Sequence, residues 1–224
     1  FWIGAGSPGL YYYAYAQDKV LGVDFLSGKP VIEIHDIYEQ NDSVLFVASA
    51  GEGFYKLILE KQGDKVCVRE QKRYRFFHDQ QDISMFYPML SEGDSLLWLG
   101  SREKGLVRFD MRTEEYLVIS LKERLKKSVD DILSLHRAKD GNMYIGTTSG
   151  LVSLAINGNK FETHYIGREQ GLLNDMIHGV LEDGNGFLWL STNRGLIKYN
   201  PLNGSSHDYY YNGGVQVGEF SDDA

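Results

Sequence analysis

The side chains with reactive chemistry are few. The chain carries six histidines (His35, His78, His136, His164, His178 and His207) and one cysteine, Cys67. A zinc or iron site needs several such ligands at fixed, close spacing with acidic companions. No histidine pair stands so, and a lone cysteine excludes an internal disulfide and a cysteine-rich metal site. No metal and no cofactor is expected. His35 and His178 align at one strand position and read as packed polar groups. No Gly-x-Ser-x-Gly or other nucleophile motif is present, so no catalytic residue is assigned. Gly4-Ala5-Gly6 opens like a dinucleotide fingerprint, but Ser7-Pro8-Gly9-Leu10 follows with no helical pattern, which makes it a strand corner. Asp183-Gly184-Asn185-Gly186 with Trp189 is the densest polar cluster. A calcium loop of the EF-hand type needs alternating acids and a closing glutamate, and both are missing. A sialidase Asp-box places its tryptophan one residue nearer. The cluster reads as a turn.

The other candidates are binding groups. Arg102, Glu103, Asp130, Thr148, Asn174, Asp175, Asn193 and Arg194 are carboxylates, amides, a hydroxyl and guanidinium groups at predicted strand corners and strand lead-ins. In a four-stranded meander these corners and lead-ins lie at the same end of the sheet, which also gathers Glu52 and Asp82. Such groups, converging, suit a polyhydroxylated ligand or a charged sugar. The plainer reading makes them solvated loop residues, with Asn174 and Asp175 capping turns.

The elements that position them form a repeat. An aromatic before a small-residue corner recurs at Trp2, Phe46, Trp98, Tyr144 and Trp189, at intervals of 44, 52, 46 and 45. Behind it runs a glycine–apolar column: Gly9-Leu10, Gly53-Phe54, Gly105-Leu106, Gly150-Leu151 and Gly195-Leu196. The longer interval implies an insertion between Lys56 and Phe77. Apolar runs precede the aromatic at Val31 to Tyr38, Ile83 to Leu90, Ile132 to Leu135 and Met176 to Leu181. Looser strands follow at Val66 to Arg69, Tyr116 to Ile119, Phe161 to Tyr165 and His207 to Tyr211. Four short strands in roughly 45 residues match a propeller blade. The fold class expected is all-β, a β-propeller. Leu121 to Asp131 alone has a helix-like pattern and is assigned to a loop.

Composition agrees. Aromatics make up 13%, which favours strands, and 25 glycines against 4 prolines suit many tight turns. A net charge of −8 argues against nucleic acid and anionic membranes as partners. No apolar run approaches the roughly 18 residues of a membrane span. Repeats are expected at about 1–31 (partial), 32–79, 80–127, 128–170 and 171–212, with a new one starting at 213–224. The chain opens in mid-strand, so it is expected to be a propeller segment of four complete blades plus partial ones. The alternative is that the tail supplies the missing strand of a closed five-bladed ring.

The clearest unit, GLLNDMIHGVLEDGNGFLWLSTNRGLIKYNP at Gly171 to Pro201, resembles the two-component regulator propeller repeat. The tail Gly213 to Phe220 resembles that family's lead-in to its last blade. The resemblance is strong at 129–201, and the blade at 32–79 diverges, with Phe46-Val47-Ala48 in place of Trp-Ile-Gly. It implies a seven-bladed propeller that is the periplasmic sensor of a hybrid histidine kinase of the Bacteroidetes type. It also implies a glycan or oligosaccharide ligand, a C-terminal immunoglobulin-like domain and a homodimeric parent. Kinase activity does not reside in these residues. Two alternatives remain: a propeller enzyme acting on polysaccharide as a lyase or hydrolase, and a scaffold for protein partners. For the enzyme, Asp36 and Asp130 are the best acids available, but they fall in different columns.

Overall fold

The computed structural model describes residues 1–7, 9–63, 65–102, 104–158 and 160–209. Two compact units divide them: residues 1–101 with 107–118, and residues 102–106 with those from 119 onward. The expected lead-in at Gly213 to Phe220 and the end of the strand expected at His207 to Tyr211 lie outside the described residues.

Among the described residues the first unit holds three sheets of three or more strands and one two-stranded sheet. The first sheet has three strands, Trp2–Gly4, Leu10–Ala14 and Lys19–Gly22. The second runs Ile34–Asn41, Val44–Ser49, Gly53–Gln62 and Lys65–Tyr74, with Asp24–Phe25 added in parallel beside its last strand. The third is Phe86–Glu92, Leu96–Ser101, Leu106–Asp110 and Tyr116–Ile119. The expected insertion is mostly strand. Gly53–Gln62 and Lys65–Tyr74 form a hairpin of two ten-residue strands, followed by the small hairpin Phe76–His78 with Gln81–Ile83. The long hairpin packs Leu57, Leu59 and Val68 in one core with Leu10 and Tyr12 of the first sheet and with Val23 just after it.

The strand expected at Val31 to Tyr38 instead spans Ile34–Asn41. Residues 31–33 form a lead-in to that strand, tied to the segment after Trp2–Gly4: the N–H of Glu33 donates to Gly6 O at 2.7 Å and that of Ile34 to Ala5 O at 3.2 Å. Likewise, the strand expected at Ile83 to Leu90 is Phe86–Glu92, with Ile83 left in the hairpin before it.

In the second unit the fourth sheet is Ile132–Arg137, Met143–Thr147, Gly150–Asn157 and Lys160–Ile166; the fifth is Ile177–Glu182, Leu188–Thr192, Gly195–Tyr199 and Ser206–Tyr209. Both are antiparallel meanders. Leu151, Leu172, Ile177, Leu188 and Leu190 are fully buried where these two sheets pack together. Leu121–Leu125, assigned to a loop from the sequence, is an α-helix. Ser120 caps it by accepting the Glu123 N–H at 3.1 Å, and Lys126 closes it in the left-handed conformation. Five residues are too few to show periodicity, although Ser120-x-x-Glu123 is the pattern of a capping box.

Both sequence columns have structural causes. All five glycines of the second column have positive φ, from 79° at Gly105 to 123° at Gly150, which a side-chain-bearing residue adopts at a cost. The glycine after the aromatic serves a close approach. A Cβ at Gly4 would lie 2.6 Å from the Ile34 carbonyl, and one at Gly146 would lie 2.6 Å from that of Ile177. Phe46, Trp98 and Tyr144 of the aromatic column are buried. Carboxylates in the preceding turns hold their polar edges. Asp183 accepts the Trp189 indole N–H at 3.0 Å, Glu92 that of Trp98 at 2.6 Å, and Asp140 the Tyr144 hydroxyl at 2.8 Å. The Asp183 cluster is therefore a turn that fixes an aromatic: its other oxygen accepts the N–H groups of Asn185 and Phe187.

The first strands of the second to fifth sheets all carry a register shift near their start, at Ile34/Asp36, Phe86/Met89, Ile132/Ser134 and Ile177/Gly179. Such bulges bend a strand and redirect its side chains. They sit beside the lead-ins that carry the candidate residues.

Candidate functional site

The corner between the second and third strands is built twice on one plan in the second unit. In the fourth sheet, buried Thr147 donates its hydroxyl to Gly150 O at 2.8 Å and accepts the Ser149 N–H at 3.1 Å. In the fifth, buried Thr192 donates to Gly195 O at 3.0 Å and accepts the Arg194 N–H at 3.1 Å. A buried hydroxyl with both roles filled fixes the corner. It leaves Thr148-Ser149 and Asn193-Arg194 as the two residues at the tip of each corner. The column glycine then ties the corner to the following lead-in. The Gly105 N–H donates to Asp130 O at 3.0 Å and the Gly150 N–H to Asp175 O at 2.5 Å. Asp130 and Asp175 thus hold equivalent places.

Their side chains differ. Asp130 is 7% exposed; its carboxylate accepts the Ser120 hydroxyl at 2.7 Å and the Lys122 N–H at 2.9 Å. It anchors the short helix. Its neighbour Asp131 receives the Arg102 guanidinium in a fork, Nε at 2.9 Å and Nη2 at 3.4 Å, while the Asp131 carbonyl accepts the Thr148 N–H at 3.2 Å. Asp175 pairs through Oδ2 with Arg168 Nε at 2.9 Å, and its buried Oδ1 has no hydrogen-bond partner. Tyr165 has its hydroxyl pKa pushed up, first by burial and then by the charge of Asp175.

A cavity of about 370 Å³ opens beside Asp130 and Asp131. Thr148 and Ser149 line it from the fourth-sheet corner, Lys104 from the preceding corner, and Lys122 and Ser128 from the helix and the segment after it. Among the described residues no histidine or thiol lines it, and protein donors engage Asp130 and Asp131.

Of the eight residues singled out from the sequence, Asp130 and Thr148 line this cavity, and Arg102 is joined to it through Asp131. The fifth-sheet residues lie elsewhere. Asn174 Oδ1 accepts the Met176 N–H at 3.1 Å, a turn-capping role. Asn193 bonds to the His178 ring and approaches Met176 Sδ at 3.0 Å. Arg194 is exposed, and Glu103 lies outside the described residues. Sequence reasoning passed over Lys104, Lys122, Ser128 and Asp131. Asp131 follows Asp130 directly, and both carboxylates line the cavity. Lys122 was hidden by reading its helix as a loop.

Residues 171–194 match the family of the two component regulator propeller. Histidine kinase P4 of Formosa agariphila is 25% identical in a match covering 63% of this chain and 14% of the kinase. The extracellular domain of a hybrid two component system from B. thetaiotaomicron superposes with a TM-score of 0.77 at 20% identity, over 98% of this chain and 28% of that one. The extracellular domain of a one component system from the same organism superposes at 0.67 and 19% identity, over 92% and 26%. The chain therefore spans 14% of the kinase's length and 28% or less of those extracellular domains. Likeness at this identity shows the fold: the chain is an all-β β-propeller structure.

Proposed function

We propose that this chain, which carries a two-component regulator propeller repeat, is ligand-sensing propeller sequence from the extracytoplasmic part of a hybrid histidine kinase. One observation carries the sensing role. The fourth-sheet corner holds a cavity of ligand-binding size on a backbone frame that the fifth sheet repeats with different side chains. A constant frame with variable tip residues is how a scaffold carries recognition without altering its core. The extracellular setting of the two structural relatives and the kinase relative support the location and the signalling role.

The ligand proposed is a glycan or oligosaccharide, held by hydroxyl and charged groups around Thr148. Binding would shift the populations of two arrangements of the parent protein, and the membrane-proximal part would read that shift. A C-terminal immunoglobulin-like domain and a homodimeric parent belong to the same proposal. The enzyme reading would need a free acid or base at the cavity, and the described carboxylates there, Asp130 and Asp131, are engaged by protein donors.

The test is a thermal-shift screen of the 224-residue chain against oligosaccharides. A specific ligand at 100 times its Kd should stabilise the chain by about 2.7 kcal/mol. A stabilising oligosaccharide whose effect is lost in Thr148→Val supports the reading. Turnover of the oligosaccharide, or stabilisation only by a protein partner, would replace it.

A further inference from the structure

We infer that the fourth-sheet cavity is a subsite for an oxyanion, so that the ligand presents a carboxylate, sulfate or phosphate group there. This rests on the sensing role proposed for the same cavity. The argument is an accounting of donors and acceptors. Asp130 and Asp131 look at first like acceptors waiting for sugar hydroxyls. Both are already occupied: Asp130 by the Ser120 hydroxyl and the Lys122 backbone N–H, and Asp131 by the forked Arg102 guanidinium. Of the groups that line the cavity, the Lys122 ammonium, which only donates, and the hydroxyls of Ser128, Thr148 and Ser149, which can donate or accept, have no hydrogen-bond partner among the described residues.

The charge distribution points the same way. The chain as a whole carries −8. Yet the segment 121–128, of which Lys122 and Ser128 line the cavity, holds Lys122, Arg124, Lys126 and Lys127 against Glu123 alone, and of the two lining carboxylates Asp131 is matched by the Arg102 guanidinium. A local cationic rim on an acidic protein concentrates anions at that point. An ammonium that can only donate, beside three hydroxyls that can turn their O–H toward the same ligand, suits a charged group whose oxygens only accept. The fifth sheet shows that the frame does not impose this. Its equivalent corner turns Asn193 back onto His178 and Met176.

The experiment measures binding to the 224-residue chain by calorimetry, with three probes: tetragalacturonate, the neutral tetrasaccharide maltotetraose, and inorganic sulfate. Each is run at two salt concentrations and against Lys122→Gln and Ser149→Ala. The expected result is that tetragalacturonate or sulfate binds, weakens at least fivefold in Lys122→Gln, and weakens as salt rises. Thermal midpoints near wild type show that the variants fold, since Lys122 is exposed and its side chain holds nothing in place. Maltotetraose binding more tightly than both anions overturns the oxyanion assignment and leaves the glycan reading standing. Sulfate binding that depends on Lys122, with neither sugar bound, does the reverse. Anion binding unchanged in both variants moves the site elsewhere, and silence from all three probes overturns both readings.

Discussion

The corners of the fourth and fifth sheets share a backbone and differ in what stands on it. Thr147 and Thr192 make the same two hydrogen bonds, and Gly150 and Gly195 share a left-handed backbone. In the fifth sheet Asn193 folds back to His178 and Met176, so its amide completes the sheet itself. In the fourth, Thr148 and Ser149 face a cavity with their hydroxyls unengaged. The lead-ins diverge in the same manner. Asp130 is consumed in capping a helix, whereas Asp175 keeps a buried oxygen without a partner. The frame residues hold the corner together and the remaining corner residues are the ones proposed to bind, so substitution can test the two apart.

The largest effect should come from the core both sheets share. Leu190→Ala empties a fully buried position and should cost about 2–5 kcal/mol in urea unfolding, with ligand binding lost only through unfolding. Next come the paired frame residues. Thr147→Val and Thr192→Val should each cost about 1–2 kcal/mol, and by similar amounts, because the hydrogen bonds removed are the same. A cost at one corner only would break the equivalence. The tip residues should then separate. Asn193→Ala should cost about 1 kcal/mol through its lost hydrogen bond, while Ser149→Ala should stay within about 0.5 kcal/mol and act on ligand affinity alone.

Two aspartates of opposite sign give the weakest and most specific tests. The Asp183 pKa is held down, first by the Trp189 indole N–H and then by the backbone N–H groups of Asn185 and Phe187 and by Lys198. Its contribution is therefore present above the ordinary carboxylate range and is lost as the pH falls through the depressed value. Asp183→Asn should remove that part of the acid sensitivity below about pH 4, as read by thermal midpoints. Asp36 is pushed up by burial, against the opposing N–H donors of Met89 and Ile37. Its contribution is complete below the ordinary range and is lost as the pH rises through the raised value. Asp36→Asn should flatten the slope there.

Much of this was legible without coordinates. The aromatic and glycine columns at Trp98, Tyr144 and Trp189 and at Gly105, Gly150 and Gly195 mark positions where one local requirement recurs: a filler under a corner, and a backbone with positive φ. Local requirements act on residue type directly, so they repeat in the sequence and reveal the all-β repeat. The long hairpin of the second sheet was visible only as an excess of residues, because length alone does not say whether added chain is paired. The short helix was missed because a cap, and not periodicity, defines it.

The sequence by itself determined the repeat, the strand corners and which end of each sheet bears polar side chains. Only the tertiary structure decided which of those side chains remain available. Asp130, Asn174 and Asn193 are as polar in the sequence as Thr148, but each is engaged by a partner supplied by the folded chain: the Ser120 cap, the turn at Met176 and the His178 ring. A hydrogen bond is a relation between two groups, and the second group lies 10 residues away for Asp130, 2 for Asn174 and 15 for Asn193, at distances set by turns and bulges. Residue type shows what a group can donate or accept; folding decides whether a protein partner has already taken that capacity.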